Sequence, residues 1–153
     1  MTKKLFLAIF ILGTFGIFSA CTDKVDDIKD TIVGSFSCKL NNSAWAASVM
    51  AGSNVDGNLV ITATKGKELI TLTFDTAVVG KYPVNFTNIA VYTANVDSLS
   101  ETTHLGVAGG EIELTSIDAS NKRVSGSFHF EGYDMYMNKV TITAGVFKNV
   151  VYN

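Results

Sequence analysis

Arg123-Val124-Ser125-Gly126-Ser127-Phe128-His129-Phe130-Glu131 alternates without a break. Val124, Gly126, Phe128 and Phe130 fall on one side, and Ser125, Ser127, His129 and Glu131 on the other. Side chains of an extended chain point alternately to its two faces, so a period of two marks a half-buried strand. The same period runs outward from this stretch in both directions. Downstream, Gly132 to Asn138 connects to a strand at Val140–Thr143. Ala144-Gly145 is read as a break in the ladder, and Val146 to Tyr152 closes the chain. Upstream, Asp118 to Lys122 turns, and Gly109-Gly110 opens a strand from Glu111 to Ile117.

Further back, Asn95 to Gly106 is polar and rich in Ser and Thr, and reads as a loop carrying His104. Ile89 to Ala94 is a strand candidate. Gly80 to Val84 is a short extended piece, and Pro83, lacking an N–H, limits it to an edge or a strand start. Glu68 to Asp75 and Leu59 to Thr64 form a hairpin through Lys65-Gly66-Lys67, with Ile70, Leu72 and Phe74 on one face. Asp56-Gly57 is the strongest short turn signal in the chain. Phe36, Cys38 and Leu40 alternate with polar neighbours. Asn41-Asn42-Ser43 turns, and Trp45, Ala47 and Val49 are expected on one face of a single returning strand. No stretch past residue 32 keeps a 3.6-residue period for ten positions. About eight or nine short strands with regular turns predict an all-β domain. The expectation is an antiparallel two-sheet sandwich over 33–153, with a lipocalin-like β-barrel as the alternative.

The N-terminus reads differently. Met1-Thr2-Lys3-Lys4 is basic, and Leu5 to Ala20 is apolar or small, ending in Phe18-Ser19-Ala20-Cys21. Leu5 to Phe18 is 14 residues, short of the ~18–20 that a spanning helix needs but suited to the apolar region of a signal peptide. Residues 1–20 therefore read as a lipoprotein signal peptide, with Cys21 as the lipidated first residue of the mature chain. Residues 21–32 read as that cysteine and an acidic, flexible tether. An acidic stretch there also loosely matches a surface-export signal of lipoproteins, interrupted by Thr22 and Lys24. Two or more acyl chains such as palmitate hold a protein at a membrane stably, whereas one holds it marginally. The expected localisation is the outer membrane, lipid-anchored, facing the periplasm or the cell surface.

Cleavage before Cys21 leaves 133 residues with 10 basic and 14 acidic side chains, a formal charge of −4. One domain fits that length. A negative balance argues against nucleic acid as a partner, which requires a basic footprint. With Cys21 lipidated, Cys38 has no disulfide partner. Its place on an apolar face predicts a buried thiol behaving as a small hydrophobe.

Chemistry-bearing patterns are sparse. His104 and His129 have no second ligand at a familiar metal spacing, and no cofactor is called for. A Gly-x-Ser-x-Gly elbow is absent, and Gly106 to Gly110 lacks the lysine and helix of a phosphate loop. Asp56-Gly57-Asn58 is explained by a hairpin turn rather than a calcium loop. Glu111 and Glu113 lie ~6.5–7 Å apart on one strand face, within the range of glycosidase pairs, yet such a pair on a half-exposed strand reads as a solvated face. The most distinctive stretch is Gly132-Tyr133-Asp134-Met135-Tyr136-Met137-Asn138. Tyr133, Met135, Tyr136 and Met137 in a connection are candidate ligand-binding residues, since aromatics and Met are enriched in interfaces. The alternative is that the strands extend and these side chains pack on the core or cap it.

Two further motifs carry a likeness. One is Phe36-Ser-Cys-Lys-Leu-Asn-Asn-Ser-Ala-Trp45. The other runs from Gly110-Glu-Ile-Glu-Leu-Thr through Val124-Ser-Gly-Ser-Phe-His-Phe130 to Val140-Thr-Ile-Thr-Ala-Gly-Val-Phe147. With the lipobox, they resemble a family of small lipoproteins of unknown function from Gram-negative bacteria. The first turn departs from the glycine-containing form associated with that family, having Asn42-Ser43. The resemblance implies no activity and no catalytic residues.

The favoured function is a non-catalytic binding or accessory module of the cell envelope, for a glycan, a peptide or a partner protein. A hydrolase acting on envelope or other polymers is one alternative, weakened by the shortage of convergent titratable residues. An adhesive or structural subunit pairing through a sheet edge is another.

Overall fold

The computed structural model describes residues 34–107 and 109–153. The segments expected from sequence to be a signal peptide, a lipidated Cys21 and a tether lie outside the described residues. Among the described residues eleven strands follow in chain order: β1 Ser35–Leu40, β2 Ser43–Ala46, β3 Val49–Val55, β4 Asn58–Lys65, β5 Glu68–Phe74, β6 Gly80–Pro83, β7 Ile89–Thr93, β8 Thr103–Gly106, β9 Glu111–Asp118, β10 Arg123–Tyr133 and β11 Lys139–Val151. A 3-10 turn at Val96–Ser98 and a one-turn helix at Leu99–Thr102 precede β8. The protein is all-β, as the alternation predicts.

The strands hydrogen-bond into one antiparallel sheet in the order β2-β1-β11-β10-β8-β7-β5-β4-β3. β10 is the branch point. Its Arg123–His129 portion pairs β9, whose other edge carries β6, while Gly132 and Tyr133 pair β8. A parallel bridge between Gly52 and Tyr152 brings β3 back to the end of the chain beyond β11. The sheet is thus curled on itself as a half-barrel, between the sandwich and the barrel expected from sequence. Pro83 sits on β6, an edge strand, where its missing N–H costs no ladder bond.

Turn chemistry fixes the hairpins. Asn41 and Asn42 have φ of 47° and 68°, and Asp56 and Gly57 have 53° and 88°. Positive φ at both loop positions is the type I′ turn, whose twist matches the flanking strands. The returning strand after Asn42 is shorter than expected. β2 ends at Ala46, and Val49 begins β3 pointing outward, 64% exposed. Ala144-Gly145 does not end a strand either. β11 runs through it as a bulge, with Ala144 at φ 49° absorbing the extra residue against β10.

The core lies inside the curl. Phe36, Phe74, Phe147, Ile61, Ile70 and Leu72 are all at most 2% exposed. Burying each such side chain stabilises by roughly 1.5–3 kcal/mol. The Phe36 and Phe128 rings lie 4.8 Å apart, and the Phe74 ring meets Phe147 edge-on at 6.4 Å.

Candidate functional site

At one end of the half-barrel the inward positions become polar. Glu68 precedes Ile70, Leu72 and Phe74 on the inward side of β5, Tyr92 follows Ala90 on β7, and His104 precedes Gly106 on β8. Asp134 continues the inward series of β10 one step past the strand. Cys38 and Trp45, cross-strand neighbours on β1 and β2, complete the layer. Glu68 accepts from Trp45 Nε1 at 3.1 Å and from Tyr92 Oη at 2.7 Å. The Tyr92 ring lies 5.7 Å from the His104 ring. His104 Nδ1 is 3.0 Å from the Thr102 carbonyl, and Nε2 is 3.8 Å from Asp134 Oδ2.

Cys38, Tyr92 and Asp134 are held away from their ordinary ionisation. Burial, reinforced by the Glu68 charge, pushes the Cys38 thiol up to about 11. Burial and the hydrogen bond to Glu68 also raise the Tyr92 phenol. The Asn138 side chain, helped by loop amides, holds the Asp134 carboxyl below the usual range.

Asp134 is the anchor of the connection above this layer. Its Oδ1 accepts from Tyr136 N at 2.9 Å and Asn138 N at 2.8 Å, and its Oδ2 from Asn138 Nδ2 at 2.8 Å. Met137 N also donates to the Asp134 carbonyl at 3.1 Å, and Met137 takes φ 64°. The fixed backbone turns three large side chains outward: Met135 is 66% exposed, Tyr136 64% and Met137 74%. Tyr133, the last residue of β10, is half-buried and lies opposite Leu105. Of the four residues singled out from sequence, three therefore project from one tight loop, and the alternative that they pack on the core does not describe them.

The match to known families covers residues 33–151, with a model described as a domain of unknown function. The chain belongs to the DUF6252 family. Comparison with curated proteins and with solved structures finds no match.

The sequence reads His104 of this DUF6252 domain as part of a polar loop. It is a buried strand residue, 8% exposed. Asp134, Asn138 and Glu68 are not among the candidate residues singled out from sequence. The signal for Glu68 was its parity with Ile70, and for Asp134 its position heading a turn that closes on Asn138. His129 stays on the outward face opposite Glu111. Glu111 pairs with Lys81 at 3.0 Å, and Glu113 accepts from Ser127 Oγ at 3.3 Å. Both carboxylates sit on an open strand face of the DUF6252 domain, as a solvated pair would. Among the described residues no three His, Cys, Asp or Glu side chains are grouped to hold a metal. No helix among them is long and apolar enough to cross a membrane.

Proposed function

We propose that this DUF6252 protein is a lipid-anchored envelope protein whose β domain is a non-catalytic binding or accessory module. Its recognition element is the loop carrying Met135, Tyr136 and Met137, with Tyr133 at its base. The observation that carries this reading is the pairing of exposure with rigidity. Large apolar side chains in water are ordinarily mobile, whereas here a buried carboxylate fixes the backbone that presents them. A pre-set loop loses less entropy on binding than a floppy one. Thioethers offer little to sugar hydroxyls and much to apolar surfaces, so a peptide or protein partner fits better than a glycan.

The placement also suits a tether. Gly34, where the described chain begins, lies beside Lys148 and Asn149. Tyr133 pairs with Lys139 at the other end of β11. That separation is roughly 25–30 Å at ~3.3 Å per residue. A lipid on Cys21 would hold the near end toward the membrane and leave the loop facing away from it.

The deciding test is the double variant Tyr133→Ala with Tyr136→Ala. We expect a fold unchanged by circular dichroism and peptide or partner binding weakened at least ~10-fold, as for loss of an interface anchor. Full binding by a folded double variant removes the loop from the reading. Cys21→Ser tests the anchor separately: the variant should leave the membrane fraction, and protease shaving of intact cells reports which side of the outer membrane carries the wild-type domain.

A further inference from the structure

The outside of the half-barrel is divided by charge. On β1, β6, β9, β10 and β11 the outward positions include Lys39, Lys81, Glu111, Glu113, Glu131 and Lys139. On β3, β4, β5, β7 and β8 the position is reversed. The inward residues of these strands are fixed by burial, among them Leu59, Ile61, Ile70, Leu72, Ala90 and His104. The alternate, outward residues are Val, Thr, Ala, Ser, Leu, Ile and Asn, and among the described residues of these five strands none of the outward ones is Lys, Arg, Asp or Glu. Register joins them into one continuous surface. Val60 lies beside Thr73, Thr62 beside Thr71, Thr71 beside Val91, and Val91 beside Leu105.

A sheet face exposed to water usually carries charges that keep it solvated and discourage association. This one lacks them in a chain of net charge −2. Two copies meeting through any charged part of the surface repel one another unless charges interlock. Two copies meeting through this face bring no like charges together. β-branched side chains on two facing sheets interdigitate at about 10 Å spacing. Five strands at ~4.8 Å and a strand length of ~18–20 Å give a footprint of roughly 400–500 Å² per copy. Both copies together bury roughly 800–1,000 Å², below the ~1,200–2,000 Å² of stable interfaces and in the range of weak, transient ones.

We propose that a second copy of this chain docks on the uncharged outer face of β3, β4, β5, β7 and β8, forming a two-fold symmetric dimer. The contact is isologous, each face serving as its own complement. Its modest area makes the dimer concentration-dependent. The face adjoins the recognition loop where Leu105 lies opposite Tyr133, but the contact does not depend on Met135, Tyr136 and Met137 having a partner.

The test is sedimentation of the full chain, purified in mild detergent, over micromolar to submillimolar concentrations. We expect a monomer–dimer equilibrium. Val91→Lys should shift it at least ~10-fold toward monomer by placing like charges at the centre of the contact. Thr71→Lys, on the neighbouring strand, gives a second measurement should Val91→Lys fold poorly, and circular dichroism checks both folds. Ser127→Lys, on the charged side, should leave the equilibrium where it was. A wild-type chain that stays monomeric throughout overturns the proposal, as does a dimer that both folded lysine variants leave intact.

Discussion

Trp45 Nε1 donates to Glu68 Oε2 across 3.1 Å, linking β2, at one end of the strand order, to β5 on the far side of the curl. Tyr92 Oη takes the other carboxylate oxygen at 2.7 Å. One side chain thus satisfies two donors from two strands and ties the curl across its interior. Glu68→Ala leaves both donors without it, and a buried unpaired donor costs more than the bond returned. The expected loss is about 2–4 kcal/mol in a urea titration. Glu68→Gln keeps an acceptor for one donor and should lose about half as much. A Glu68→Ala variant within ~0.5 kcal/mol of wild type would mean that the curl closes without this contact.

The Asp134 carboxylate supports the exposed loop, and its effect has a defined pH sign. Its carboxyl in the folded protein lies below the ordinary range, first through the Asn138 side chain. A depressed folded value contributes stability that is complete above the unfolded value, about 3.9, and is lost as pH falls through the folded one. Asp134→Asn should therefore be less stable than wild type at pH 7, with the gap closing in strong acid. Amide exchange at Tyr136 and Asn138 should accelerate at least ~10-fold in the variant at neutral pH. An unchanged gap between neutral and strongly acid conditions would show that ionisation of Asp134 is not what holds the loop.

Cys38 follows the opposite sign. Burial raises its thiol to about 11, so the folded state favours the neutral form. That contribution is complete below the ordinary thiol value of 9.0 and is lost as pH rises toward about 11. At pH 8 the thiol should react with a disulfide reagent only as fast as the domain opens. Labelling that outpaces unfolding, measured by fluorescence in the same buffer, would place the thiol at the surface.

How much of this was legible in the sequence depends on how far apart the interacting residues lie. The hairpin of Leu59–Thr64 and Glu68–Asp75, the Asp56-Gly57 turn and the inward series Val124, Gly126, Phe128 and Phe130 are local patterns, and the structure carries each of them. β8 is not local. It is four residues long, it sits in Thr-rich chain, and its burial comes from β7 and β10. His104 looked solvated because its neighbour Asp134 is thirty positions away. The tyrosines and methionines after Gly132 were conspicuous by type. Their exposure was not, because it depends on a five-residue turn closing between Asp134 and Asn138. Residues 1–33 lie outside the described part, and with them the lipobox expected from sequence.

Gly126 is where the sheet leaves no room. It sits at a register shift toward both β9 and β11. A Cβ there would lie 1.9 Å from the Glu113 carbonyl oxygen and 2.4 Å from Phe147 Cζ. The first of these is backbone, so no rotamer change relieves it, and the β9–β10 ladder must part. Gly126→Ala should cost about 3 kcal/mol or more. Gly57→Ala is the contrasting case. Nothing lies within 4 Å of its Cβ, yet its φ of +88° strains any side chain, at about 1–2 kcal/mol. Comparing the two urea midpoints separates crowding from backbone strain. Equal losses would mean that β9 and β10 part easily, and that the bulge at Gly126 is not a rigid feature of the fold.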